Sequence, residues 1–149
     1  MTANADLRLL HLALMDLIGI FNEPQRDDAL LAEAGIALDR ALFPLLVRIE
    51  RRGPLGVVEL ADISGRDHTT VSRQVARLEE LGLVTRRASK RDKRVREAAV
   101  TPKGLAMTKA IDKARERTAG PILARWSAAD RQTLIRLVRK LVDDVKERS

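Results

Sequence analysis

The sequence feature that most limits the possible folds is a pair of short helices separated by a glycine turn. Residues that favour helix starts and stops delimit both helices clearly. Apolar residues predict the first helix over Val57–Ile63, and Gly65 offers it a C-terminal stop. Asp67 is a good N-cap for the second helix, about His68–Leu81, because its carboxylate can accept hydrogen bonds from the exposed first-turn amides. Gly82 then ends that helix.

Two predicted strands follow at once. Residues Leu83–Ala88 and Val95–Val100 are typical of strands, and the polar segment Ser89–Arg94 joins them. A short helix, a tight turn, a second helix and a hairpin occur in the order of a winged helix-turn-helix. We therefore predict a mainly α fold with a small β wing of two or three strands.

The N-terminal segment Leu7–Phe21 predicts a helix that is apolar on nearly all sides. A surface helix of a monomer needs only one apolar stripe, so this helix requires cover on two sides. A partner subunit is the favoured explanation, and a deep core position is the alternative. Residues Pro24–Asp28 are expected to break the helical pattern, and a further helix is predicted over about Leu38–Arg51.

The C-terminal third predicts two more helices. Thr101 as N-cap and Pro102 at the first helical position open one that runs to about Ala119, where Gly120-Pro121 is expected to interrupt or kink it. Ser127 and Asp130 have capping-box-like spacing, with Asp in place of the usual Glu, and the last helix is expected to follow. One compact chain is thus expected, with an N-terminal dimerisation helix and connector over 1–36, a DNA-binding lobe over 37–101 and C-terminal dimerisation helices over 102–149.

Positive charge is concentrated on the predicted winged segment. The 149 residues include 28 Lys plus Arg and 21 Asp plus Glu, for a net charge of +7. Ten basic and four acidic residues lie between Arg66 and Arg96, so about a fifth of the chain carries six of the seven net charges. A solubilising surface would spread its charge, whereas a local excess indicates contact with phosphates.

Several other functions are disfavoured by composition. The chain has no cysteine, which excludes disulfides and thiolate zinc sites, and two histidines make a histidine metal site implausible. We find no catalytic constellation, phosphate loop or metal-ligand spacing, so neither an enzyme nor a cofactor is predicted. The most apolar segment is too short to span a bilayer and does not resemble a signal peptide, so a cytoplasmic, soluble protein is expected.

The second helix of the pair presents a polar outer face. On a helical wheel Val71, Val75 and Leu78 form the buried stripe, while Arg73 and Arg77 point away from it. Arginine can bond guanine bidentately, and short hydroxyl side chains can reach base edges or phosphates. An ordinary amphipathic helix is the alternative, disfavoured by the basic hairpin that follows. The predicted DNA-binding residues of this helix are His68, Thr69, Thr70, Ser72, Arg73, Gln74 and Arg77.

The loop between the strands carries four cations in six residues, which repel each other unless a polyanion is near. An arginine at its tip could enter a minor groove. Asp92 could hold the Arg94 guanidinium in a fixed geometry, or it could merely offset charge in a solvated turn. The predicted DNA-binding residues of the wing are Arg86, Lys90, Arg91, Asp92, Lys93 and Arg94.

A set of short motifs covers roughly residues 55–105. In order they are Leu60-Ala61, Thr70-Val71-Ser72-Arg73, Val75-Ala76-Arg77-Leu78-Glu79, Gly82-Leu83-Val84, Asp92-Lys93-Arg94 and Thr101-Pro102-Lys103-Gly104. With these motifs the sequence resembles the MarR family of bacterial and archaeal transcription regulators. The family's recognition-helix positions correspond to Thr69–Arg77, and its wing-tip pair corresponds to Asp92 and Arg94.

The resemblance implies a homodimer, formed by the N-terminal and two C-terminal helices, that reads a pseudo-palindromic operator. Many members are repressors released by small phenolic or lipophilic anions, which bind between the dimerisation helices and the DNA-binding lobe. The cysteine of the oxidation-sensing branch is absent here. A dimeric, sequence-specific regulator of double-stranded DNA is therefore predicted, and its effector residues cannot be selected from one sequence. The alternative is a non-specific or architectural DNA-binding protein without effector control.

Overall fold

A computed structural model describes residues 2–149, which form seven helices and a three-stranded sheet. The elements in chain order are α1 (Ala3–Phe21), α2 (Pro24–Ala34), α3 (Phe43–Arg52), β1 (Leu55–Gly56), α4 (Val57–Ser64), α5 (His68–Glu80), β2 (Val84–Ala88), β3 (Arg96–Val100), α6 (Pro102–Ala124) and α7 (Ala128–Glu147). The predicted fold class is confirmed, with a wing of three strands.

The helix boundaries that the sequence marks with caps are present. Gly65 ends α4 in the left-handed conformation, with φ of 66°. Asp67 begins α5, where its Oδ1 accepts a hydrogen bond from the Thr70 amide at 2.8 Å. Thr101 and Ser127 cap α6 and α7 in the same manner. Each cap satisfies a first-turn amide that has no partner within its own helix.

The sheet has the strand order β1-β3-β2, and both strand pairs are antiparallel. The hairpin aligns Val84 with Val100 and Ala88 with Arg96, so the loop between β2 and β3 projects from the far end. The two-residue strand β1 adds to the other edge of β3, where Leu55 pairs with Ala98. This edge pairing ties the wing to the start of α4.

Two clusters of buried apolar side chains hold the chain together. The larger joins α3, α4, α5 and the sheet, and it includes the fully buried Leu46, Ile49, Leu60 and Leu78. The smaller joins α2, α3 and α6 and consists of Leu30, Leu31, Phe43, Val47, Ile111 and Ala114. Helix α3 therefore contributes to both clusters and joins α4, α5 and the sheet to α2 and α6.

The start of α6 is fixed to the end of α5. The Thr101 hydroxyl donates to the Gly82 carbonyl at 2.7 Å, and Lys103 Nζ donates to the Leu81 carbonyl at 2.9 Å. Gly104 packs so closely that a Cβ there would lie 2.1 Å from the Leu83 carbonyl oxygen. The first turn of α6 is thus joined to the segment that follows the second helix of the pair.

The predicted break at Pro24–Asp28 is wrong. Pro24 occupies the first turn of α2, where a proline lacks only an amide that has no intrahelical partner anyway. Gly35 ends this helix in the left-handed conformation, with φ of 69°. The segment is a packed helix because Leu30 and Leu31 are buried against α3 and α6.

Two other boundaries also differ from prediction. The helix expected from Leu38 begins at Phe43, because the Leu42 amide donates to the Asp39 carbonyl in a preceding turn. The helix expected to end near Ala119 continues through Pro121 to Ala124. A proline removes one helical hydrogen bond, and α6 continues to Ala124 although Pro121 lacks that bond.

The terminal helices α1 and α7 contain no buried residue in the described chain, although both carry many apolar side chains. Leu9 and Ile135 are 60% and 63% exposed. Among residues 2–149, no helix is long and apolar enough to cross a membrane. These apolar surfaces lack cover within one chain.

Candidate nucleic-acid interface

Helix α5 buries one face and exposes the other as the wheel predicts. Val71, Val75 and Leu78 are buried in the larger core cluster. On the opposite side His68, Thr69, Arg73 and Arg77 are exposed, whereas Thr70, Ser72 and Gln74 are half-buried. The structure therefore brings all seven predicted recognition residues to one accessible side of the helix or to its borders.

Contacts within the chain already restrain several of these side chains. The Thr70 hydroxyl donates to Asp67 Oδ2 at 2.7 Å, so its proton is used in the helix cap. Arg77 pairs with Glu80 at 3.1 Å, and Arg66 Nη1 donates to Gln74 Oε1 at 3.4 Å.

The Arg73 guanidinium has no hydrogen-bond or ion-pair partner within the described chain, so its donors are free for a ligand.

The carboxylate that caps α5 is held in its charged form. Hydrogen bonds from the Thr70 amide, and then from the Thr70 hydroxyl, lower the pKa of Asp67 below its ordinary value. The cap fixes the first turn of α5, which carries His68 and Thr69. His68 Nε2 also lies 3.8 Å from Asp62 Oδ1, on the preceding helix.

The wing loop is organised around a buried serine and one ion pair. Ser89 Oγ accepts hydrogen bonds from the Arg91 amide at 3.1 Å and the Asp92 amide at 3.4 Å. The predicted contact between Asp92 and Arg94 is present, with Nε–Oδ1 and Nη2–Oδ2 distances of 3.2 Å. The Arg94 guanidinium lowers the pKa of Asp92, while the Arg94 side chain is 91% exposed.

Arg86 differs from the other predicted wing residues. Its side chain is only 27% exposed, and its Nε lies 4.0 Å from Glu79 Oε1 on α5. That Nε has no hydrogen-bond partner among the described residues. The Arg86 side chain thus lies where strand β2 meets α5. The loop itself carries the other predicted wing residues, Lys90, Arg91, Asp92, Lys93 and Arg94.

Sequence reasoning missed two residues that shape this surface. Ser89 organises the wing loop, because its hydroxyl accepts a hydrogen bond from the Arg91 amide. The only indication in the sequence is a serine placed two residues before a backbone amide that its hydroxyl can reach. Arg66 contacts Gln74 across the turn between α4 and α5, which no local pattern reveals. A cavity of about 360 Å³ also joins Arg73, Gln74 and Arg77 to the turn between α2 and α3.

An exposed helix bearing an unpaired arginine, beside a basic hairpin loop, defines a winged helix-turn-helix DNA-binding protein. The comparisons agree with this class. Residues 38–95 match the family model described as MarR family. The chain is 31% identical over 104 residues to the uncharacterized HTH-type transcriptional regulator YxaD of Bacillus subtilis strain 168, covering 70% of this chain and 73% of that one. The chain belongs to the MarR family of DNA-binding transcriptional regulators.

Solved structures share the fold over nearly the whole chain. A MarR family protein from Bacillus stearothermophilus superposes with a TM-score of 0.71 at 23% identity, covering 98% of this chain and 99% of that one. A probable transcriptional regulator from Pseudomonas aeruginosa has a TM-score of 0.58 at 30% identity, covering 86% of this chain and 98% of that one. The family consists of transcriptional regulators, not enzymes.

Proposed function

We propose that the protein is a dimeric repressor that reads a pseudo-palindromic operator in double-stranded DNA and acts in the cytoplasm. The free guanidinium of Arg73, in the middle of the accessible face of α5, carries this proposal. Arginine in that position can bond a guanine edge bidentately, while the cationic loop lies along the flanking backbone or minor groove. Sequence-specific binding requires such donors, whereas charge alone gives only non-specific affinity.

The uncovered apolar surfaces of α1 and α7 support the dimer. Neither helix buries a residue in one chain, and water disfavours contiguous apolar surface. We assign dimerisation to residues 1–36 and 102–149 and DNA binding to 37–101. Helix α2, packed against α6, belongs to the first of these segments and connects the dimer helices to the lobe.

Release by a small effector is supported by a mostly apolar cavity. It has a volume of about 270 Å³ and lies between α1, α2 and α6. Phe21, Leu30 and Ile122 supply apolar surface, and Arg115 supplies a cation. A phenolic or lipophilic anion has the matching chemistry, because its ring can contact the apolar wall while its charge pairs with arginine.

Selection of bound sequences from a random duplex library tests the central proposal. We expect a motif of two inverted half-sites whose centres lie about one helical turn, ~10 bp, apart. Gel-shift titrations should then show that this operator outcompetes random duplex of the same length. Equal affinity for both would instead establish a non-specific or architectural DNA-binding protein without effector control.

A further inference from the structure

Arg86 occupies a position of β2 that faces the interior of the protein. Side chains alternate between the two faces of a strand, so Arg86 shares a face with Val84, two residues earlier. Val84 and Ala98, the cross-strand partner of Arg86, are both buried in the larger core cluster. The arginine side chain therefore leaves β2 on the apolar side of the sheet, where its methylene groups can cover apolar neighbours.

The guanidinium group of Arg86 ends beside the last turn of α5. Its Nε lies 4.0 Å from Glu79 Oε1, and Glu79 is the only carboxylate within that distance of Arg86 in residues 2–149. At this separation the two charges attract each other, but they form no hydrogen bond. Approach of the two groups by about 1 Å would supply the acceptor that the buried Nε lacks among the described residues.

Arg86 is poorly placed to contact a phosphate directly. Its side chain is 27% exposed, whereas that of Arg94 in the wing loop is 91% exposed. A phosphate that approached Arg86 would also meet the Glu79 carboxylate, which is 47% exposed and would repel it. The backbone of Arg86 is restrained as well, because its carbonyl accepts a hydrogen bond from Arg96 Nη2 at 3.4 Å.

We propose that Arg86 is a positioning residue, which acts through Glu79 to fix the orientation of the wing hairpin relative to α5. One member of the contact lies on β2 and the other on α5, so their attraction joins the two elements that are proposed to meet DNA. The alternative is the direct DNA contact that the sequence predicts for Arg86 from its charge and its place in the wing.

This inference rests on the proposed operator binding. Helix α5 and the wing loop must reach adjacent grooves at the same time, so their relative orientation decides whether both contacts can form. A hairpin that is already fixed in the free protein loses less conformational freedom on binding than one that moves about its base. Arg86 thus contributes to operator affinity without neutralising a phosphate.

The positioning role is tested first on the full chain without DNA, by hydrogen–deuterium exchange of peptides that cover residues 84–100. The variants are Arg86→Met, Glu79→Gln and the two combined. Arg87→Met is the matched control, because Arg87 is an exposed cation of the same strand on the opposite face, across from Glu97. Peptides of α6 report any general loss of stability.

We expect each single variant to raise the exchange rate of the hairpin about threefold, with the α6 peptides unchanged. The combined variant should exchange no faster than the faster single variant, because either change alone already breaks the contact. The Arg87→Met control should exchange as wild type does. Hairpin exchange that is unchanged in both single variants would overturn the inference, whatever the protein does with DNA.

Operator titrations over a range of salt concentrations provide the second test. Arg86→Met and Glu79→Gln should each lower operator affinity about five- to tenfold, and the combined variant should lose no more than either alone. The slope of log affinity against log salt concentration should stay at the wild-type value in Arg86→Met. Loss of a phosphate contact would reduce that slope by about 0.9.

A reduced slope in Arg86→Met would show that Arg86 contacts phosphate directly and would overturn the inference. Higher affinity in Glu79→Gln would do the same, since it would mean that Glu79 acts only as a negative charge near DNA. A wild-type chain that binds operator and random duplex equally would instead contradict the proposed repressor function. In that case the exchange measurements still decide whether Arg86 and Glu79 act together.

Discussion

At the scale of single residues, the arginines of the proposed DNA-reading surface differ in the contacts that they already make within the chain. Arg94 is fixed by Asp92, and Arg77 is paired with Glu80, whereas Arg73 is free. A side chain held by an ion pair must keep or exchange that partner when it meets a phosphate. A free guanidinium can adopt the geometry of a base edge, so Arg73 is the residue best suited to read sequence.

Replacement of Arg73 by alanine should therefore lower operator affinity by about 1–3 kcal/mol and relax base preference at one position of each half-site. Fluorescence anisotropy on the operator, on single-base variants and on random duplex measures both effects. Arg73→Lys is the matched control, since lysine keeps the charge but cannot form the bidentate contact. Equal losses on operator and random duplex would show that Arg73 contacts phosphate only.

The Asp67 cap has a defined pH dependence. Its pKa is lower in the folded chain than its ordinary 3.8, so the charged cap stabilises fully above that value. The contribution is lost as pH falls through the lower folded pKa. Asp67→Asn keeps a neutral cap, and its Tm should lie roughly 2–4 °C below wild type near neutral pH. Scanning calorimetry should show this gap closing below about pH 4; a constant gap down to pH 2 would be inconsistent with a charge effect.

At the scale of elements, the contact of α6 with the segment after α5 depends on a glycine. A Cβ at Gly104 would lie 2.1 Å from the Leu83 carbonyl oxygen and 2.8 Å from Val100 Cγ2. Neither neighbour is the far end of a flexible side chain. Close approach of helix to backbone therefore requires glycine here, while Gly120 on the same helix has no such neighbour.

Gly104→Ala should lower the free energy of unfolding by about 1–3 kcal/mol, because α6 must move away from the lobe. Gly120→Ala should change it by less than about 1 kcal/mol, since the helix propensity gained opposes the crowding before Pro121. Urea unfolding of both variants makes the comparison on one helix. Similar losses in the two variants would mean that the packing around Gly104 adjusts to a methyl group.

The wing loop gives a prediction in which two effects have opposite signs. Asp92→Ala removes a negative charge from the loop that is proposed to face DNA, which alone would raise operator affinity. It also frees Arg94, which then loses more conformational freedom on binding. We expect the second effect to dominate and operator affinity to fall about two- to tenfold. Filter binding over a range of salt concentrations measures it, and a rise in affinity would show that Asp92 only offsets charge.

The sequence predicted those elements whose limits are set by local chemistry. Asp67, Thr101 and Ser127 cap helices because one side chain reaches an amide three residues away. The helix α2 was missed because Pro24 was interpreted as a break rather than a first-turn residue. Contacts between elements, such as Arg66 with Gln74, depend on how helices pack and have no periodicity that a single sequence reveals.

At the scale of the whole molecule, the uncovered apolar surfaces of the terminal helices predict the assembly. Leu9 on α1 and Ile135 on α7 are both largely exposed. In the proposed dimer these surfaces become interface, so a buried unpaired charge there is costly. We expect Leu9→Glu/Ile135→Glu to sediment as a monomer, with operator affinity roughly a hundredfold lower because the two half-sites are no longer bound together.

Val58→Glu is the matched control for the oligomeric state. Val58 is 57% exposed but lies on α4, away from the terminal helices. Sedimentation velocity should show the control as a dimer at the concentration where the double variant is a monomer. A wild-type chain that sediments as a monomer at that concentration would contradict the proposed assembly.

The attachment of α6 to the end of α5 has a mechanical consequence. Thr101, Lys103 and Gly104 fix one end of a helix of 23 residues, whose length is roughly 34 Å. A tilt of about 5° at the fixed end therefore displaces the other end by about 3 Å, close to the ~3.4 Å rise of one base pair. In the proposed dimer, a change of a few degrees in the angle of α6 would thus alter the separation of the two recognition helices by about one base-pair step, so operator affinity should depend on the spacing of the half-sites.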